Sequence, residues 1–396
     1  MKLSRVTLRA GREKSLLRRH PWVFSGAIAH VEASPAAGAT VEVHAADGTF
    51  MARAAWSPVS NIRARVWSFD AREAIDAAFL RTRVEISVRA REALRDARNN
   101  GCRLVNAESD GLPGFIADRY DDVLVVQLLA AGAEAWRDVL IAALCDATAC
   151  ASVYERSDAD TRQLEGLEPR AGPLRGDAPA RVTLLENGLR YGVDVARGQK
   201  TGFFLDQRDN RARVGALADG RDVLDAFCYS GGFTCAALAG DARSVLAIDS
   251  STAALDLARA NVAANGFESS RVEWRDADVF AELRRLRDAA ASFDLIVLDP
   301  PKLAPTAQHA EKAARAYKDV NLLALKLLRP GGRLATFSCS GGVSAELFQK
   351  IVAGAALDAR VDAAIIGRFG PSADHPVALN FPEGDYLKGL LVRRNA

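Results

Sequence analysis

The chain contains no apolar run near the roughly eighteen consecutive residues that a membrane-spanning helix needs, so no membrane partner is expected. Met1 to Ser15 carries Lys2, Arg5, Arg9, Arg12 and Lys14 with no apolar stretch behind them. A secretory signal is therefore not expected either, and a cytoplasmic location is. Cysteine is sparse and scattered: Cys102, Cys145, Cys150, Cys228, Cys235 and Cys339, with no Cys-x-x-Cys pair of the kind that zinc or redox sites use. Reduced thiols, mostly packed as small hydrophobes, are the expectation. His309 and His375 have no companion ligands, so no metal site is expected. The Gly-x-Gly-x-x-Gly fingerprint of dinucleotide sites is missing, which weakens an NAD-dependent oxidoreductase reading. No internal repeat is visible. Net charge is only +2, so the chain as a whole is not a polycation.

The chain does have 396 residues, 49% of them hydrophobic and 26% charged, the profile of a globular protein with two or three domains. Its positive charge is unevenly spread. Residues 1–20 hold Lys2, Arg5, Arg9, Arg12, Lys14, Arg18 and Arg19 against the single acid Glu13. Charge alone fits a phosphate-contacting surface and a merely solvated face equally well.

Residues 1–72 read as short strands. Thr40-Val-Glu-Val-His44 alternates, Asp47-Gly48 supplies a turn, Thr49 to Ala55 returns, and Ile62 to Phe69 alternates again. A small β-barrel or sandwich follows from this. Residues 73–185 mix the two element types: a helix over about 76–98, a hairpin of Gly114–Tyr120 and Val123–Leu129, a helix over about 134–147 and a strand at Ser152–Arg156. Residues 169–179, rich in Pro and Gly, read as a loop. A hairpin, Val182 to Val195, turning at Asn187-Gly188, precedes the last domain. There, strands at Val223–Phe227, Val245–Asp249, Val272–Arg275, Leu295–Asp299 and Arg333–Ser338 alternate with helical stretches. Such alternation implies an α/β fold with a parallel sheet covered on both faces. Two further strands, near 361–369 and 386–393, fit an antiparallel edge.

Ligands of a doubly wound sheet sit at the C-terminal ends of its strands. Four such ends carry telling residues here. The first runs into Asp225-Ala-Phe-Cys-Tyr-Ser-Gly-Gly-Phe233, where Phe227, Tyr229, Ser230 and Gly231 can wrap a ligand closely. The second ends in Asp249, suited to a ribose diol. The third runs into Asp276-Ala-Asp278, suited to an adenine amine, and the fourth into Asp299-Pro-Pro-Lys302. A single acid after a strand is often only a helix cap. Four in order point to a nucleoside ligand such as S-adenosylmethionine.

Gly198-Gln-Lys-Thr-Gly-Phe-Phe-Leu-Asp-Gln-Arg-Asp-Asn-Arg211, Phe227-Cys-Tyr-Ser-Gly-Gly-Phe233, Asp299-Pro-Pro-Lys302, Phe337-Ser-Cys-Ser-Gly341 and His375-Pro to Tyr386-Leu-Lys-Gly389 together carry a resemblance. The chain resembles, over nearly its full length, the ribosomal RNA large subunit methyltransferase I family, class I enzymes that methylate C5 of a cytosine in 23S rRNA. His20-Pro-Trp-Val-Phe-Ser-Gly26 is similar to the start of that family's PUA domain, an RNA-binding module. The resemblance implies a β-rich PUA domain over 1–72, a small α/β middle domain over 73–185 and a Rossmann-like methyltransferase domain over 186–396. It also implies that Phe204, Asp206, Gln207 and Arg208 form a flap at the cofactor site, although a capped helix start explains them too.

The implied chemistry makes demands that can be read residue by residue. Cytosine C5 is not nucleophilic until a thiolate adds to C6. Cys339, ending the fifth strand, has the position for that thiolate; a buried strand-end cysteine is the competing reading. Asp299, which also borders the cofactor, is its expected partner and faces the base's N3 and exocyclic amine. Lys302 stands where amine-methylating enzymes with a related motif place an aromatic residue, which argues against a guanine-amine target. Cys228 and Cys235 read as packing. Lys14, Arg18, Arg19, Lys200, Arg208 and Lys302 are the expected RNA contacts. Two alternatives stay open beside the leading one: methylation of another base, and a non-catalytic RNA-binding assembly factor. A homodimer is compatible with the sequence.

Overall fold

The computed structural model describes residues 3–303 and 310–395. Lys2 of the basic N-terminus and His309 lie outside the described residues. The chain divides into two units. The first comprises Met1–Leu185, Val193–Leu205 and Ala373–Gly384; the second comprises Glu186–Gly192, Asp206–Ser372 and Asp385–Ala396. Among the described residues no helix is long and apolar enough to cross a membrane.

The first unit holds two sheets. One has six strands in the order Trp22–Phe24, Ile62–Ser68, Phe50–Trp56, Thr40–His44, Ser4–Leu8, Ile28–Val31. The alternation read at residues 40–44 is the physical reason for this sheet: Val41 and Val43 are fully buried while their neighbours face outward. At the hairpin tip Gly48 takes φ +92°, and Asp47 Oδ1 accepts a bond from Thr49 N at 2.9 Å. The second sheet has five strands, Arg170–Arg175, Ser152–Ser157, Val123–Leu128, Phe115–Tyr120 and Gly101–Asn106, packed on helices Ala77–Arg89 and Arg137–Thr148. Its core also takes in Ala55 and Trp67 from the first sheet.

Two elements of this unit differ from expectation. The helix expected over about 76–98 starts with Asp76 capping Phe79 N but ends at Arg89. There Arg91 turns inward to a two-bonded pair with Asp110. The stretch 169–179, expected as a loop, contains the strand Arg170–Arg175. That strand pairs only with Ser152–Ser157, at the sheet edge, where Pro173 deprives no neighbour of a hydrogen bond. The last segment of the unit, 373–384, is anchored by Asp374. Its Oδ2 accepts from Arg103 N at 2.9 Å, and its side chain is fully buried.

The second unit is built on a seven-stranded sheet in the order Val272–Asp276, Ser244–Asp249, Asp222–Ala226, Phe293–Leu298, Leu328–Ser338, Lys388–Arg394, Ala363–Phe369. The first five strands are parallel, as the alternation of strands and helices demands. Lys388–Arg394 runs antiparallel against Leu328–Ser338 on one side and Ala363–Phe369 on the other. Thus the two late strands pair as expected, but the final one is interior and the earlier one is the edge. Strand order reverses around Asp222–Ala226, which places the switch point beside its C-terminal end. Leu224, Ile248, Ile296 and Leu298 are fully buried among residues of the helices Val279–Asp288, Ala310–Leu327 and Ala345–Ala359.

Candidate active site

The turn after Asp222–Ala226 has an unusual backbone. Phe227 takes φ +65°, Tyr229 +47° and Gly231 +77°. Left-handed conformations cost a side-chain-bearing residue about 1–3 kcal/mol and persist only where the surroundings impose them. Here Asp249 imposes one: its Oδ2 accepts from Tyr229 N at 2.9 Å, and its Oδ1 from Ser251 N at 2.9 Å. Gly231 is required by space as well as by φ, since a Cβ there would sit 2.9 Å from Ala258 Cβ. Asn261, which no sequence motif singles out, ties the turn down. Its Nδ2 donates to Ser230 O at 2.9 Å and its Oδ1 accepts from Gly192 N at 2.7 Å.

Asp225 lies buried beneath this turn and accepts from Thr234 Oγ1 at 2.6 Å. Burial pushes its carboxyl up to about 7, against the lowering effect of Thr234. Among the described residues its Oδ1 and the Ser230 hydroxyl, both buried, have no hydrogen-bond partner. Unpaired buried polar atoms at a strand switch point suit a polar ligand that would satisfy them. Asp249 and Asp276 stand directly opposite each other on adjacent parallel strands, and Asp276 Oδ2 accepts from Thr252 Oγ1 at 2.5 Å. For Asp278 the cap explanation accounts for one oxygen, which accepts from Ala281 N at 2.8 Å.

The fourth and fifth strand ends form the other half of the site. Leu298 pairs with Thr336, so Asp299 and Cys339 leave neighbouring strands at the same edge. Burial, reinforced by the Asp206 carboxylate, pushes Asp299 up to about 7, while a bond from Gln207 Nε2 at 2.9 Å pulls the other way. Tyr386 donates its hydroxyl to Asp206 Oδ2 at 2.5 Å. Tyr386 belongs to a motif the sequence flags, but its partner could not be read there. Among the described residues Cys339 is the one cysteine that is not buried. Cys228 and Cys235 are buried, and burial holds both thiols well above the ordinary range, Cys235 at about 12. Packing is the role this supports for them.

The expected RNA contacts divide. Lys14, Arg18 and Arg19 are exposed on or just after the helix Lys14–Leu17 of the first unit, and Arg19 lies 5.8 Å over the Phe69 ring. Lys200 is exposed in that unit too, with its ammonium 4.8 Å over the ring of Phe204. In the second unit Lys302 is exposed after Pro300 and Pro301. Arg208, by contrast, is only 5% exposed and presents little to a phosphate. Its place in the first turn of the helix Arg208–Gly215 turns it inward.

Comparison with known proteins agrees with this geometry. Residues 115–356, more than half of the chain, match the S-adenosylmethionine-dependent methyltransferase family, and residues 6–69 match the PUA-like domain. The chain is an S-adenosylmethionine-dependent methyltransferase, with that molecule as its cofactor. A ribosomal RNA large subunit methyltransferase I from Shewanella amazonensis is 51% identical, the match covering 98% of this chain and 99% of the relative. One from Erwinia tasmaniensis is 49% identical over the same shares. The protein therefore belongs to the ribosomal RNA large subunit methyltransferase I family. A solved structure of a methyltransferase-like protein from Streptococcus mutans superposes with a TM-score of 0.85. It is 21% identical and covers 98% of this chain and 99% of its own, so it speaks for the fold.

Proposed function

We propose that the protein methylates C5 of a cytosine in 23S rRNA, in the cytoplasm, through a covalent adduct on Cys339. The observation that carries this reading is the position of Cys339, partly buried just past the strand end beside that of Asp299, while the other five cysteines are buried. The cofactor supplies an electrophilic methyl group on a sulfonium. Asp249 would take the ribose hydroxyls and Asp276 with Asp278 the adenine edge. The turn of Phe227, Tyr229, Ser230 and Gly231, with Asp225 beneath it and Gln207 as a flap residue, would enclose the remainder.

On the substrate side, the Cys339 thiolate adds to C6, and the electron pair of the C5–C6 double bond makes C5 nucleophilic. Asp299 near its midpoint at neutral pH keeps a proton to share with cytosine N3 as the adduct forms. After C5 is methylated, loss of its proton restores the double bond and expels the thiolate. The division into 1–72, 73–185 and 186–396 serves this chemistry as reader, middle and catalytic domains. For the reader, support comes from a cleft of about 1130 Å³ in the first unit, lined by Arg18, Arg19 and Phe69 together with acids including Asp70 and Glu108.

Mass spectrometry of nucleosides from 23S rRNA tests the reading. A deletion strain should lose one 5-methylcytidine and regain it on complementation. Loss of a methylated guanine instead would establish the other-base reading, and no loss at all the assembly-factor one. Sedimentation of the purified protein reads its oligomeric state, including the homodimer.

A further inference from the structure

Lys388 begins the final strand, in direct register with Ser338 of the neighbouring strand. Its side chain is buried, with the residue 9% exposed. The ammonium donates to Ser340 O at 2.8 Å and to Val343 O at 2.6 Å, spanning the turn that follows Cys339. On the other side of that turn Tyr317, fully buried, shares a 3.0 Å hydrogen bond with Ser340 Oγ. The Ser338-Cys339-Ser340 segment is thus held between a cation and a phenol.

A lysine is a costly residue for fastening two carbonyls. Its charge loses hydration on burial, and neutral oxygens return only part of that. Among the described residues no carboxylate forms an ion pair with Lys388. Burial accordingly holds its ammonium below the ordinary lysine range. Among the described residues the charged and titratable groups that act on it are Asp385 in the preceding segment, Lys302 after the fourth strand, and Cys339 itself. Asp385 and an ionised Cys339 stabilise the ammonium, and Lys302 opposes it. The attraction between ammonium and thiolate is mutual, and a neighbouring cation is a common means of raising the thiolate fraction of a reactive cysteine.

We propose that Lys388 is a positioning residue for Cys339: it fixes the turn that carries the thiol and supplies the positive charge against which its anion is stabilised. The proposal deepens the reading of Cys339 as nucleophile and rests on it.

The test is the pH profile of Cys339 alkylation by iodoacetamide in the full-length protein, read by peptide mass spectrometry. In the unaltered protein the midpoint should lie below the roughly 8.5 of a free cysteine. A midpoint at or above that value overturns the proposal without any variant. Lys388→Gln keeps amide donors for the carbonyls and removes the charge. Its midpoint should rise by about one pH unit or more, with roughly tenfold slower alkylation near neutrality. Lys388→Arg, which keeps the charge, should recover most of the loss. Cofactor affinity by calorimetry reports folding and should stay unchanged in both. Coincident profiles for Lys388→Gln and the unaltered protein overturn the proposal. Failure of the nucleophile reading shows separately, as adduct formation with 5-fluorocytidine RNA that survives Cys339→Ala.

Discussion

Gln207 Nε2 donates to Asp299 Oδ2 across 2.9 Å, and Asn210 Nδ2 donates to Gln207 Oε1 across 2.6 Å. The second bond fixes which way the Gln207 amide faces, so Asp299 always meets its N–H side. The donor favours the charged carboxylate, yet burial and Asp206 prevail and hold Asp299 at about 7.

That balance sets a pH dependence. With its midpoint raised in the folded protein, Asp299 keeps a proton that the unfolded chain releases above about pH 4. The stability it contributes is therefore present in acid and lost as pH rises through about 7. Asp225 acts in the same direction. Thermal unfolding of the cofactor-free protein should show Tm falling between pH 5 and pH 8 from these two groups, and falling less in Asp299→Asn. An equal fall in the variant would mean that Asp299 is ionised throughout.

Trapping reads the nucleophile. RNA bearing 5-fluorocytidine at the target should hold the unaltered protein as a covalent adduct, because fluorine cannot leave as a proton. Cys339→Ala should give no adduct while binding the cofactor normally. Cys228→Ala and Cys235→Ala should still trap, since their thiols are buried and protonated. An adduct with Cys339→Ala would place the nucleophile elsewhere.

Asp249 shapes the turn through Tyr229 N, and we propose that it also takes the ribose hydroxyls. Asp249→Ala should weaken S-adenosylmethionine binding by about 1.5–3 kcal/mol, roughly ten- to a hundredfold, the worth of a hydrogen bond to a charged group. Calorimetry on a variant with unaltered circular dichroism decides it; an unchanged Kd removes Asp249 from the ribose site.

The basic face is best tested by charge alone. Removing residues 1–72 would also strip Ala55 and Trp67 from the second core of the first unit. Replacing Lys14, Arg18 and Arg19 together by Ala leaves that core intact. RNA affinity should fall, and the slope of log affinity against log salt should flatten by about 0.7 to 0.9 for each phosphate that is no longer neutralised. Cofactor affinity should not move. An unaltered slope would show that this face does not meet RNA.

The parallel sheet was legible because most of its strands carry an apolar run that leads into an acid or a turn, Val272–Asp276 with Glu273 and Arg275 being the polar edge exception. The acids at or near its strand ends, Asp225, Asp249, Asp276 and Asp299, could be located for the same reason. What could not be read depends on neighbours remote in sequence. Residues 170–175 look like a loop until Ser152–Ser157 offers them a partner. Lys388 shows no role until its strand is known to lie beside the one that carries Cys339. Arg208 looks like a phosphate contact from composition and turns out buried.

Asp374 finally bears on the protein's synthesis. It belongs to the first unit, where its carboxylate accepts from Arg103 N and lies 3.0 Å from His375 Nδ1, and its carbonyl accepts from Arg91. Arg91 and Arg103 emerge from the ribosome far ahead of it, at a pace of about 5–20 residues per second. Until residues 373–384 follow, the Asp374 carboxylate is not there to accept from Arg103 N, and the carbonyl of Asp374 is not there to accept from Arg91. The unit that translation begins first is thus among the last to be completed. A chain that ends before residue 373 lacks these closing contacts of the first unit.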